Sequence, residues 1–287
     1  MTTESFVLSE PQVRSTPVIF ASPHSGNAYP ADFLEMSVQN PLQLRSSEDA
    51  FVDRLFSAAP DHGAPLLAAK LPRAFIDLNR GVNELDPAVI DGMGKAPNNP
   101  RVASGLGVIP RVVSNGRPIY NGKIPLAEAH RRISRYWRPY HDRLQLLVDQ
   151  SRNRFGESIL IDCHSMPREA LENVPVIRGR RPDVVLGDRF GASASPEVTD
   201  YVAQVFADAG FNVARNMPFA GAYVVQTYGR PPRGQHAIQV EIDRSVYMDE
   251  DRIEPRDDFD QIHETISNVV KEVALFGAAR AQRLAAE

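Results

Sequence analysis

Residues 158–167 read SILIDCHSMP. The apolar run Ile159–Ile161 ends at Asp162, and His164 and Ser165 then follow, just before a Met-Pro break. The run is continuous rather than alternating, which predicts a strand covered on both faces. Val184–Leu186, VVL, has the same character. Working outward, strands are also predicted at Pro17–Ala21, Pro65–Leu71, Phe75–Leu78, Asn212–Ala214, Ala222–Thr227 and Ala237–Ile242, with Ser158–Asp162 as the fourth. A helix is predicted over 126–155, where Ile133, Trp137, Tyr140, Leu144, Leu147 and Val148 form one apolar stripe and Pro139 introduces a kink. Pro196–Ala209 opens with proline behind a serine cap and stops at Gly210, and a third helix fills 257 to the C-terminus. Strands alternating with helices indicate an α/β fold, with helices on both faces of a mostly parallel or mixed sheet. No repeat or low-complexity linker divides residues 1–287, so a single domain is expected, with a Pro-, Gly- and Asn-rich excursion at about 84–122.

The 287 residues are 43% hydrophobic and 24% charged, as in soluble globular proteins. A net charge of −4 and the lack of a basic stripe with interleaved aromatics argue against nucleic acid as a partner. Cys163 is the single cysteine, so no internal disulfide forms. No apolar run approaches the roughly 20 residues that span a bilayer. The first residues lack a basic n-region and an apolar h-region, so the expected location is the cytoplasm.

In α/β sheets ligands bind at the carboxyl ends of strands, and here those exits carry reactive groups. SPHSG brings His24, DLNR brings Asn79 and Arg80, DCHSMP brings His164, and QVEIDR places Glu241 and Asp243 on one strand face. Two imidazoles and a carboxylate are the usual ligands of a catalytic zinc that keeps one position open. Ser46 or Ser47 would cap a helix with Phe51, Val52, Leu55 and Phe56 on its apolar face, leaving Glu48 and Asp49 in the first turn as alternative carboxylates. Asp53 reads as structural, a hydrogen-bond partner for a ligating histidine, and Asp162 can orient a ring or a loop. Glu241, a carboxylate in an apolar strand, needs a partner or a raised pKa. Ser165 has no nucleophile-elbow context, which argues against a serine hydrolase. Cys163 reads as core, and His236 either lines the site or caps it. His62, His130, His141 and His263 read as surface or packing residues.

SPHSG, EDAFVDRLF, FIDLNR, GLGVIPR, IDCHSMP, NMPFAGAYVVQTYG and HAIQVEIDRSVYMDE occur in that order across 22–250. Together they resemble the N-formylglutamate amidohydrolase family, which is similar in fold to the zinc carboxypeptidase and aspartoacylase superfamily. The resemblance implies a three-layer α/β/α sandwich around a mixed, mainly parallel sheet. It also implies one Zn2+ ion and hydrolysis of the formyl amide of an acidic amino acid to formate and glutamate. On this alignment His24 and His164 match the two zinc histidines, and Asp49 matches the carboxylate ligand, with Glu48 as competitor. The carboxypeptidase pattern has a glutamate three residues after the first histidine, where this chain has Asn27. Glu241 matches the general base, Asn79 and Arg80 the substrate-carboxylate clamp, and Arg73 sits where an oxyanion-stabilising arginine is expected. Tyr223 is expected in the pocket. Arg111, Arg215 and Arg230 are open choices for a second substrate carboxylate. The partner expected is thus a small N-acyl amino acid, with no nucleic acid and no membrane. A zinc carboxypeptidase, a deacylase of another N-acyl amino acid, or a metal-free binding protein on the same fold are the competing readings.

Overall fold

A computed structural model describes residues 4–94, 99–177 and 179–286. The central sheet has seven strands in the order Phe6–Ser9, Leu66–Ala69, Val18–Ser22, Ser158–Met166, Gln235–Asp243, Val184–Gly187, Val213–Arg215. Val18–Ser22 runs parallel to Ser158–Met166, and that strand runs parallel to Gln235–Asp243. Val184–Gly187 is antiparallel to Gln235–Asp243 and parallel to Val213–Arg215. The sheet is therefore mixed and mainly parallel in an α/β fold. Every residue of Val18–Ser22, Ser158–Met166, Val184–Gly187 and Gln235–Asp243 is buried, including the polar Asp162, His164, Gln239 and Glu241.

The described residues form two compact units. One draws on 8–22, 51–67 and 144–287. In it the helix Phe259–Ala286 buries Ile266, Val269, Val270 and Val273, and Gly277 closes onto the sheet. A Cβ there would stand 2.6 Å from Val18 Cγ2. The helix Pro196–Asp208 packs beside it through stacked Tyr201 and Phe276 rings. Its expected serine cap is absent: the Ser195 hydroxyl bonds no backbone N–H, while the Ser195 N–H donates to His236 Nδ1.

The other unit draws on 1–7, 23–50 and 68–143. Among the described residues its excursion holds short pieces, Ile90–Asp91 paired with Ile124–Pro125, the helix Pro100–Ala103 and a turn at Ser114–Gly116. Residues 95–98 of the excursion lie outside the described residues. The expected helix over 126–155 is present, as Leu126–Arg132, a π turn Ile133–Trp137, and Arg138–Phe155. The Arg138 N–H reaches back to the Ile133 carbonyl. The ladder thus shifts by one residue just before Pro139, whose missing N–H is absorbed without a break. Among the described residues no helix is long and apolar enough to cross a membrane.

Three expected elements differ. Ala222–Thr227 is a helix, Tyr223–Tyr228, despite its β-branched composition. Its buried Val224 and Val225 find core contacts in helical form, so packing overrides propensity. Phe75–Leu78 is a turn, for a reason given below. The helix expected after Ser46 does not begin there: Pro41–Arg45 ends at Ser46, and Phe51 takes φ 67 before the short Val52–Leu55 helix. Glu48 and Asp49 therefore lie in the intervening turn.

Candidate active site

His24 follows the Val18–Ser22 strand in a loop whose path is set by close backbone approach. The Ala28 N–H donates to the Lys70 carbonyl at 2.9 Å. A Cβ on Gly26 would stand 2.3 Å from Leu71 O, so only glycine fits. The Asp49 N–H donates to the His24 carbonyl at 3.1 Å, and this backbone bond brings Asp49 beside the imidazole. Asp49 Oδ2 lies 3.4 Å from His24 Nδ1. Glu48 faces another way, accepting from the Tyr29 hydroxyl at 2.6 Å and from Arg45 Nε at 3.1 Å.

The other nitrogen of His24, Nε2, donates to Asp77 Oδ1 at 2.7 Å. Asp77 also accepts from the Asn79 N–H at 2.8 Å and from Arg73 Nε at 3.0 Å. Burial alone would raise the Asp77 pKa, but His24, Arg73 and Arg80 outweigh it and hold the carboxyl well below its usual range. The turn carrying these residues is gripped by the long helix. Arg132 Nη1 donates to Phe75 O at 3.1 Å, His141 Nε2 to Leu78 O at 2.8 Å, and Trp137 Nε1 to Arg80 O at 2.9 Å. Side chains thus take the carbonyls that a strand would offer to a ladder, which is why 75–78 is not a strand. Arg80 is buried and immobilised, its Nε donating to Leu106 O and its Nη1 to Asn79 O.

On the sheet, the parallel register sets His164 opposite Glu241 and Asp162 opposite Gln239. Paired residues of parallel strands share a face, so these four polar groups form one buried patch. Asp162 Oδ2 lies 3.0 Å from His164 Nε2, and Gln239 Nε2 donates to Glu241 Oε1 at 2.6 Å. Just beyond the strand end, Arg244 Nε donates to Ser165 Oγ at 3.3 Å. Cys163 is fully buried, and burial raises its thiol pKa well above the usual value, as expected of a core residue. His236 lies at the start of its strand with Glu157 3.6 Å from Nε2, so it caps and does not line the site.

His24, Asp49 and His164 are all buried, and one potential ligand atom from each lies within 4.8 Å of the others. Each imidazole presents Nε2 to a carboxylate, Asp77 or Asp162, which leaves Nδ1 as the lone-pair nitrogen of each ring. Two such imidazoles with a carboxylate fit a divalent metal. The carboxylates beside the two rings are Asp77 and Asp162, in the place where Asp53 was expected.

A family model described as N-formylglutamate amidohydrolase matches residues 16–248. The chain belongs to this family. An N-formylglutamate deformylase of Pseudomonas putida is 30% identical over 276 residues, 93% of this chain and 96% of that one. The crystal structure of an N-formylglutamate amidohydrolase from Ralstonia eutropha JMP134 superposes with TM-score 0.89 at 36% identity, covering 96% of this chain and 99% of that one. A gene product of Agrobacterium tumefaciens shares the fold, with TM-score 0.62 at 16% identity, covering 100% of this chain and 98% of that one.

Within this amidohydrolase chain two of the reserve arginines hold carboxylates of their own, Arg111 with Asp86 at 2.9 Å and Arg215 with Asp200 at 2.6 Å. Tyr223 begins the Tyr223–Tyr228 helix, two residues after Gly221 at φ 107. The residues sequence reasoning missed are Asp77, which joins His24 to Arg73, and Gln239, which holds Glu241. Both were visible as polar side chains inside apolar runs.

Proposed function

We propose that this chain hydrolyses the formyl amide of N-formyl-L-glutamate, or of a closely related N-acyl amino acid, using a zinc ion held by His24, Asp49 and His164. The observation that carries the reading is the buried His–Asp–His group whose two rings are each oriented by a carboxylate. Family membership supports the substrate. A zinc ion held there supplies a nucleophile usable at neutral pH and polarises the acyl carbonyl.

The chain's own residues do the rest. Glu241 takes the proton of the attacking water and returns it to the departing amine, so the amide and one water leave as formate and glutamate. Arg73 places positive charge beside the acyl oxygen as negative charge develops there. Arg80, pinned by Leu106 O and Asn79 O, presents a planar guanidinium to a substrate carboxylate, with Asn79 beside it. Tyr223 lines the pocket.

The test is a hydrolysis screen of the zinc-supplied protein against N-formyl, N-acetyl and N-succinyl glutamate, with N-formyl derivatives of neutral amino acids and short peptides with a free C-terminus alongside. N-formylglutamate is expected to be turned over fastest. Faster turnover of peptides would point to a carboxypeptidase, and no bound zinc with no turnover to a binding protein. In the same screen Arg80→Lys is expected to raise KM about 10- to 100-fold, the loss of one charge-assisted pair, with zinc content unchanged. A parallel loss of zinc would make Arg80 structural.

A further inference from the structure

The side-chain amide of Gln239 makes two contacts that together fix its orientation. The Ala222 N–H can only donate, so the Gln239 atom 3.0 Å from it is the oxygen, Oε1. Nε2 can only donate, and it meets Glu241 Oε1 at 2.6 Å. Both side chains are buried, at 4% and 8% exposure, and they stand two residues apart on one strand face. We infer that Gln239 is a positioning residue for Glu241, selecting which carboxylate oxygen exchanges protons and fastening that carboxylate to the loop that leads into Tyr223. The inference rests on the reading of Glu241 as the general base.

An N–H aimed at Oε1 stabilises negative charge on that oxygen and disfavours a proton there, so proton exchange runs through Oε2. The same bond stops rotation of the carboxylate, a terminal torsion that is otherwise broad. At the other end, Ala222 is the residue before the Tyr223–Tyr228 helix, and Gly221 beside it turns tightly at φ 107. A Cβ on Gly221 would stand 2.3 Å from Val225 Cγ2, so the turn requires glycine there. Gln239 therefore sets the base and the Tyr223 loop in one fixed relation. Its amide cannot turn over without facing an N–H with an N–H and a carboxylate oxygen with an oxygen.

Gln239→Met keeps the length of the side chain and removes both polar contacts. It is expected to lower kcat about 10- to 100-fold, the range for one hydrogen bond to a charged group, with KM within about threefold of wild type. In a Glu241→Gln background the same substitution is expected to change kcat less than about twofold, because a residue acting through Glu241 has nothing left to act on. An equal fold-loss in both backgrounds, or a rise in KM with kcat retained, overturns the inference and makes Gln239 a packing residue. Unchanged kcat in Glu241→Gln alone overturns it together with the base assignment. A crystal structure of Gln239→Met gives a readout that needs no turnover: a rotated or split Glu241 carboxylate supports the inference, and an unmoved one overturns it. That arm decides the matter even where wild type fails to hydrolyse N-formylglutamate, a result that counts against the proposed function alone. Gln239→Asn, one methylene too short to span both contacts, serves in the same experiments if the methionine variant does not fold.

Discussion

Glu241→Gln is expected to lower kcat about 10²–10⁴-fold, the usual contribution of a general base, while bound metal stays at the wild-type level. The carboxylate sits in a strand every residue of which is buried. Such a group is costly unless it is paired or used. Its register partner is His164, which places it against the proposed metal ligand without making it one of the three gathered atoms. Glutamine preserves the shape and removes the proton acceptor, so the effect isolates proton transfer. Steady-state kinetics beside elemental analysis of the same preparation checks it. Unchanged kcat would shift attention to Asp243, which is occupied by Arg168 and Ser245. Loss of metal would make Glu241 a ligand and require a new donor set.

His24→Ala or His164→Ala is expected to abolish stoichiometric metal binding and all turnover, and chelation of the wild type to abolish turnover until zinc is restored. Each variant removes one of only two nitrogens in the group. Asp77→Asn and Asp162→Asn should behave differently. They leave the ligands in place and disturb only the partner at Nε2, so metal affinity should weaken about 10- to 100-fold without being lost. Competition with a chromogenic chelator measures the series. Similar affinity across all four variants would remove this group as the metal site.

What the sequence made legible was the part governed by short-range pattern. Apolar runs located the Val18–Ser22 and Ser158–Met166 strands, and the apolar residues flanking Gln239 and Glu241 located Gln235–Asp243, and with them the exits that carry His24, His164 and Glu241. The errors came where distant groups decide. Phe75–Leu78 is apolar and strand-like, but its carbonyls are claimed by Arg132 and His141, 57 and 63 residues away. No local pattern reports that. The turn holding Asp49 depends on a bond to the His24 backbone, where a helix start was expected, so the sequence pattern named the carboxylate but not the turn that positions it. Asp77 was the avoidable omission. A carboxylate between Ile76 and Leu78 raises the same question as Glu241, namely what compensates its burial, and the answer is His24.

His141, which supports the Arg80 turn through Leu78 O, carries a cost in acid. Burial outweighs that hydrogen bond and lowers its pKa from 6.5 to about 4. In the folded chain the ring stays neutral, whereas in the unfolded chain it takes up a proton below about pH 6.5. This histidine's contribution to stability is therefore intact above pH 6.5 and drains away as the pH falls toward 4. The full difference amounts to about 3 kcal/mol. His141→Gln, which keeps a donor but cannot titrate, is expected to flatten the fall in Tm between pH 6.5 and 4, and an unaltered slope would assign that acid lability to other groups. The turn proposed to grip an acidic substrate thus rests on a support that acid itself undermines.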